Sequence, residues 1–166
     1  MSISMYTASV TVFTRMLTNL LAILEKAEAY AGERKFKADV LVNQRLAPDM
    51  LPLSSQIQIA TDAAKGAVAR LAGREIPSWP DNETTFADLK ARVKKAIDYL
   101  ATYKPADLDG SETKQVVIKI GDEDVSIHGE DYLIGRATQN LYFHVTTAYA
   151  ILRHNGVPIG KRDYLG

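Results

Sequence analysis

The run Phe13-Thr-Arg-Met-Leu-Thr-Asn-Leu-Leu-Ala-Ile-Leu-Glu-Lys-Ala27 sets Phe13, Met16, Leu17, Leu20, Leu21, Leu24 and Ala27 at steps of three and four residues. That spacing is the helical period, near 100° per residue, and it gathers apolar side chains on one face. Arg15, Asn19, Lys26 and Glu33 are interleaved and face water, so the pattern predicts an amphipathic helix from about Met5 to Ala31. Its most apolar part, Leu17–Leu24, is interrupted by Thr18 and Asn19 and bracketed by Arg15 and Glu25. It is far shorter than the ~20 residues that span a bilayer. No basic segment precedes it and no small-residue cleavage site follows, so the expectation is a cytoplasmic protein with no signal peptide and no membrane partner.

Three more stretches repeat this period. From about Met50 to Ala72, Leu53, Ile57, Ala60, Ala64, Val68 and Leu71 share a face, and Gly73 stands where a left-handed C-terminal residue is expected. Gly66, inside this helix, is expected to permit close packing with a neighbouring helix. A turn-rich connection, Arg74 to Glu83, is broken by Pro77 and Pro80. Thr85 with Asp88 resembles a capping box, and Phe86, Leu89, Val93, Ala96, Ile97 and Leu100 form a third stripe before Pro105. The fourth begins near Glu130, carries Ile134, Ala137, Leu141, Val145, Ala148 and Leu152, and stops at Asn155–Gly156 with Pro158 just beyond. Between the third and fourth helices the period changes to two. Val116, Ile118 and Ile120, a turn at Gly121–Asp124, then Val125 and Ile127 predict a β-hairpin that must pack on the helices. The expected fold is therefore all-α, a four-helix bundle with a small β-hairpin between helices 3 and 4, in one domain over residues 1–166.

Composition narrows the chemistry. Hydrophobic residues at 46% and charged residues at 24% are those of an ordinary globular chain and argue against disorder. Twenty Lys and Arg balance twenty Asp and Glu, so no overall field recruits nucleic acid or an anionic membrane. With no cysteine there is no disulfide, no thiolate nucleophile and no thiolate-held zinc or iron–sulfur cluster.

The motifs for chemistry are sparse. Gly156–Lys161 contains Gly-x-x-x-Gly-Lys, one residue short of a phosphate-binding loop, with Arg162 where a hydroxyl should bind magnesium. It reads instead as a C-terminal tail packed on the helices. Lys90, Arg92, Lys94 and Lys95, with Asp88 and Asp98 nearby, read as the solvated face of the third helix. Of the three histidines, His128 closes the second hairpin strand, and His154 suits the last turn of the fourth helix, where a cation complements the helix dipole. His144 lies mid-helix on the flank of the apolar stripe. It is either a hydrogen-bonded core histidine or a metal ligand or acid–base group, since imidazole does both near neutral pH.

The second helix supplies possible companions for it. Asp49 and Gln56 fall beside its apolar stripe, while Gln58 and Asp62 point further away. Asp49 is expected as an N-terminal cap or first-turn acid, and Gln56 as an interhelical hydrogen-bonding group. Tyr142, Tyr149 and Arg153 on the fourth helix, and Tyr6 on the first, are candidates to line a cleft or simply to pack.

Arg45-Leu-Ala-Pro-Asp-Met50, Gln56-Ile-Gln-Ile-Ala60, Ala64-Lys-Gly66, Tyr142-Phe-His-Val-Thr-Thr-Ala-Tyr-Ala-Ile-Leu-Arg153 and Gly156-Val-Pro-Ile-Gly-Lys-Arg-Asp-Tyr-Leu-Gly166 together resemble the domain-of-unknown-function family DUF1993 over essentially the whole chain. That family is similar in turn to the DinB/YfiT-like superfamily of four-helix bundles, many of them dimers. The resemblance implies a divalent metal held by one histidine of the second helix and a His-x-x-x-His pair of the fourth, with thiol transfer or detoxification chemistry in some relatives. Residues four apart share a helix face, which is why that pair can reach one ion. Here His144 matches the first ligand of the pair, Ala148 stands at the second, and Gln56 or Gln58 stands at the helix-2 position. One imidazole, an amide and a carboxylate make a poor zinc or nickel site.

Three readings follow. In the first, the protein binds a small molecule, or is an enzyme that works without a metal, at a pocket near His144 and Gln56. Tyr149, Arg153 and Asp49 then complete the pocket, and Arg153 is suited to a carboxylate or phosphate. In the second, a weakly bound zinc or nickel is held by His144 with Asp49, Gln56 or Asp62 and activates water or thiol. In the third, the chain is a non-catalytic structural or regulatory homodimer. The first reading leads, with a homodimer and a small-molecule ligand as the expected partners.

Overall fold

The protein is described by a computed structural model over residues 3–166. A π-helical turn, Thr7–Thr11, runs directly into α1, Val12–Glu33. Phe13, Leu17, Leu20, Ile23 and Leu24 are fully buried there, while Leu21 is only half-buried. The predicted stripe is thus right to within one residue, Ile23 taking the inner position. By length and mean hydropathy (1.4), Thr7–Glu33 is long and apolar enough to cross a membrane, which the count over Leu17–Leu24 alone misses. Its largest apolar side chains are the ones packed in the core.

After a 3-10 turn, Ala38–Leu41, and an irregular loop comes α2, Leu53–Ala72. It starts three residues later than expected because Pro52, in extended backbone, stands at the N-cap. Asp49 therefore does not cap the helix, whose first turn carries no acid. It sits exposed in a turn closed by a Met50 N–H bond to the Ala47 carbonyl (3.0 Å). Gly73 ends α2 in the left-handed region (φ 67°), as expected.

The capping box at α3, Phe86–Ala101, is present: Thr85 Oγ1 accepts from Asp88 N (3.2 Å) and Asp88 Oδ2 accepts from Thr85 N (2.9 Å). A one-turn helix that periodicity does not announce, α4 (Pro105–Leu108), leads to β1, Gln115–Ile120, and β2, Glu123–His128. They pair antiparallel with Val116 opposite Ile127 and Ile118 opposite Val125. The turn is shorter than predicted, two residues, with Gly121 at φ 63°. Only the root of the hairpin is packed: Val116 is buried, Ile118 half-buried and Ile120 42% exposed.

The fourth predicted helix is α5 (Gly129–Tyr132), a π-helical turn (Leu133–Ala137) and α6 (Thr138–His154), joined end to end. The tail forms α7, Lys161–Leu165, and lies on α1. Arg15 and Asn19 each donate to its carbonyls, those of Leu165 and Tyr164, at 3.0 Å, and Lys26 pairs with Asp163. The long helices pack in a closed sequence of neighbours, α1 on α3, α3 on α2, α2 on α6 and α6 on α1. One contiguous apolar core threads them, and each fully buried Leu, Ile or Phe in it contributes about 1.5–3 kcal/mol.

Candidate functional site

The α2–α6 seam brings His144 to Gln56. Nδ1 of His144 and Oε1 of Gln56 are 2.7 Å apart, and the Gln56 amide donates in turn through Nε2 to the Leu51 carbonyl (3.0 Å). The second bond fixes the first. With its nitrogen committed to a carbonyl, Gln56 can only accept from His144, so Nδ1 carries the proton. Burial, with no charged partner to oppose it, lowers the imidazole pKa below the ordinary 6.5. At neutral pH His144 is thus neutral, with its lone pair at Nε2. That atom has no partner among the described residues, yet it is not sealed from solvent, and the residue as a whole is 9% exposed. The Phe143 ring meets the imidazole edge-on, centroids 5.2 Å apart.

Other predicted companions lie elsewhere. Asp62 is bound by Lys65 (2.7 Å) and Arg92 (3.1 Å) on the α3 side. Gln58 is buried rather than turned outward, and donates to Glu83 (2.9 Å). Tyr149 packs against Tyr164 of the tail, with Thr146 and Lys161, around a cleft of about 200 Å³. Arg153 is exposed, nine residues from His144 and so about half a turn round the helix. Neither His144 nor Gln56 lines the main surface clefts.

The superfamily's three-imidazole metal set does not fit these residues. The His144–Gln56 bond occupies one ring nitrogen and the amide oxygen, Ala148 is a fully buried methyl, and Asp62 is held by two cations. Among the described residues no three His, Asp or Glu side chains converge.

Two features escaped the sequence reading. Arg92, expected on a solvated face, is buried (4% exposed). Four hydrogen bonds hold it: Nε donates to Thr61 Oγ1 (3.0 Å), Nη1 to the Pro80 carbonyl and Glu83 (both 2.9 Å), and Nη2 to Asp62 (3.1 Å), with Asp81 in ion-pair contact at 2.9 Å. Burial by itself would raise the Glu83 carboxyl, but hydrogen bonds from Gln58 and Arg92 outweigh it and hold the pKa below the usual value. Trp79 covers the cluster, with Lys65 and Lys95 over its ring at 4.2 and 4.6 Å. This is a clasp that fastens the loop after α2 to α3. The second missed feature is a cleft beside Arg70, where Gly66 makes room for an arginine rather than for a helix: a Cβ there would lie 2.7 Å from Arg70 Nη1.

The comparisons agree with the resemblance drawn from the sequence. The family model for the domain of unknown function DUF1993 matches residues 5–165. The chain is 46% identical to a DinB family member protein from Shewanella denitrificans whose crystal structure is known at 1.83 Å resolution. The match covers 97% of this chain and 91% of that one, with a TM-score of 0.91. No curated protein matches.

Proposed function

We propose that this chain, which belongs to the DUF1993 family, is a DinB-like four-helix-bundle protein that binds a small organic ligand at His144 and does so without a metal. The observation that carries this reading is the relay from Leu51 through Gln56 to His144, which fixes the imidazole as an Nδ1–H tautomer and aims a lone pair out of the seam. A neutral imidazole so held accepts a hydrogen bond, or a proton, from a ligand hydroxyl, amine or thiol. A core histidine kept only for packing has no need of a free acceptor on its solvent side. Cytoplasmic location and assembly as a homodimer belong to the same proposal. Ile134 and Phe143, 59% and 57% exposed, are apolar surface that a second copy would cover.

The test is elemental analysis of untagged protein, then thermal melts with added zinc, nickel or manganese, in wild type and His144→Ala. The expected result is substoichiometric metal and no melting shift that depends on His144. Near-stoichiometric metal, or a shift abolished by the substitution, overturns the reading in favour of a divalent-metal enzyme. Site-resolved labelling with diethyl pyrocarbonate, which acylates neutral imidazole, should modify His144 in the native protein. A His144 that stays unlabelled until the protein unfolds means the pair is only structural.

A further inference from the structure

A cleft of about 530 Å³ opens where α2, β1 and the π-helical turn before α6 meet. Its lining carries Arg70, Lys119 and Arg136 and no acidic side chain. That is unusual in a chain whose formal charge is zero. Lys119 has a partner across the hairpin, Asp124 at 3.3 Å, but Arg70 and Arg136 have no carboxylate within ion-pair distance among the described residues. The contrast with Arg92, which has three carboxylates within ion-pair distance, is direct.

Arg70 is positioned rather than loose. Its side chain folds back over Gly66, its guanidinium lies 6.0 Å from the centroid of the Tyr132 ring, and Nη1 donates to the Tyr132 hydroxyl (3.3 Å). Tyr132 is the second, independent observation. It is 94% buried by residue, lines the cleft, and its oxygen accepts from Arg70, which leaves its own O–H with no acceptor among the described residues. Burial raises the Tyr132 pKa, against the pull of Arg70 and Arg136, so the hydroxyl keeps its proton at neutral pH. Gln139 and Asn140 add amide groups to the rim, and the π-turn that presents Gly135 and Arg136 is a backbone irregularity frequent at functional sites.

We infer that this cleft is a binding site for a small molecule bearing a phosphate or carboxylate group, gripped by the Arg70 and Arg136 guanidinium groups and by the Tyr132 hydroxyl. Guanidinium forks match the paired oxygens of either anion, and the cleft volume falls within the usual range for ligand sites and leaves room for an organic body beyond the anion. The site does not depend on the reading of His144. It lies further along the same seam, Asn140 preceding His144 by one helical turn.

The experiment is two-dimensional NMR of the full chain titrated with pyrophosphate, citrate or sodium chloride at constant ionic strength. It follows the amides of Gly135, Arg136, Gln139 and Asn140, with the His144 ring recorded separately. Saturable shifts at those four residues with pyrophosphate, citrate or both are expected, and which anion binds more tightly tells a phosphoryl from a carboxylate ligand. Arg70→Gln should weaken binding about tenfold or more, the loss of a charge-assisted hydrogen bond. Lys94→Gln, on exposed α3 surface, should leave it unchanged. Shifts matched by sodium chloride, or equal losses in Arg70→Gln and Lys94→Gln, overturn the proposal. Arg136→Gln serves if Arg70→Gln does not fold, and the wild-type titration stands without either.

Discussion

His144 and Gln56 form a hydrogen bond whose direction is set from outside the pair, because the Leu51 carbonyl claims the Gln56 amide nitrogen. A buried imidazole held this way resists a second proton, and stability must register it. The folded-state pKa is lowered, so above the unfolded value near 6.5 the neutral form is bound by both states and nothing is lost. As pH falls below 6.5 the unfolded chain takes up a proton that the folded one refuses, and stability declines until the folded pKa is passed. Denaturant melts between pH 7.5 and 5 should show this decline in wild type and a flatter profile in His144→Asn, whose amide can still donate to Gln56. Identical slopes in the two proteins would remove His144 as the source.

Replacing Gln56 separates its two duties. Gln56→Leu deprives the buried His144 Nδ1–H of its acceptor, which should cost about 1–3 kcal/mol, whereas the carbonyl of the exposed Leu51 can turn to water. Gln56→Glu keeps an acceptor for Nδ1 but sets a carboxylate beside it, so the His144 pKa should rise. An NMR titration of the imidazole that finds no rise in Gln56→Glu would mean that the two side chains are not in contact in solution.

Periodicity alone located α1, α2, α3 and α6, and alternation the hairpin, because most of the apolar side chains at three- and four-residue steps fill the core, with Ile134, 59% exposed, the exception on the fourth stripe. Arg92 shows where such reading fails. It lies three residues after Leu89 and four before Ala96, within the buried stripe, but its charge places it with the neighbouring lysines on a water-facing side. What reverses this is a loop nine to twelve residues away in sequence, which supplies Asp81, Glu83 and the Pro80 carbonyl. No local pattern encodes that closure. Gln56 was legible for a different reason, since an amide beside an apolar stripe must find a partner, but whether Gln56 or Gln58 faces His144 was open until the helices were packed. Tyr149 and Arg153 were grouped with His144 by chain proximity, whereas the helix turns them toward the tail and the solvent.

The Arg92 clasp predicts a local and a global effect together. Arg92→Met keeps volume and leaves Asp62 its Lys65 partner, but takes the guanidinium from the mostly buried Glu83, and breaking one side of a buried ion pair costs about 3–5 kcal/mol. Trp79 is the chain's single tryptophan, so its fluorescence reports on the loop without interference. The native spectrum should shift to the red as the loop lifts from α3. Lower stability with an unchanged native spectrum would show that the loop is held by something other than Arg92.

Gly129 joins the hairpin to the fourth helix at a point where no side chain fits. A Cβ there would lie 1.9 Å from the Ser111 carbonyl oxygen, and both groups are backbone, so neither can swing aside. Two hydrogen bonds fix the approach, Gly129 N–H to the Lys114 carbonyl (2.9 Å) and Glu130 N–H to the Glu112 carbonyl (3.1 Å). Gly129→Ala must break or stretch them, and the expected loss is at the upper end of the usual overpacking range of about 1–3 kcal/mol, or beyond it. Gly32, near the end of α1, makes the opposite case, since a Cβ there meets nothing within 4 Å and the backbone is helical. Gly32→Ala should therefore stabilise the protein by about 0.4–1 kcal/mol through the unfolded chain. Parallel thermal melts of the two variants check both signs at once. A Gly129→Ala protein as stable as wild type would mean that the strand does not enter the helix along the path described.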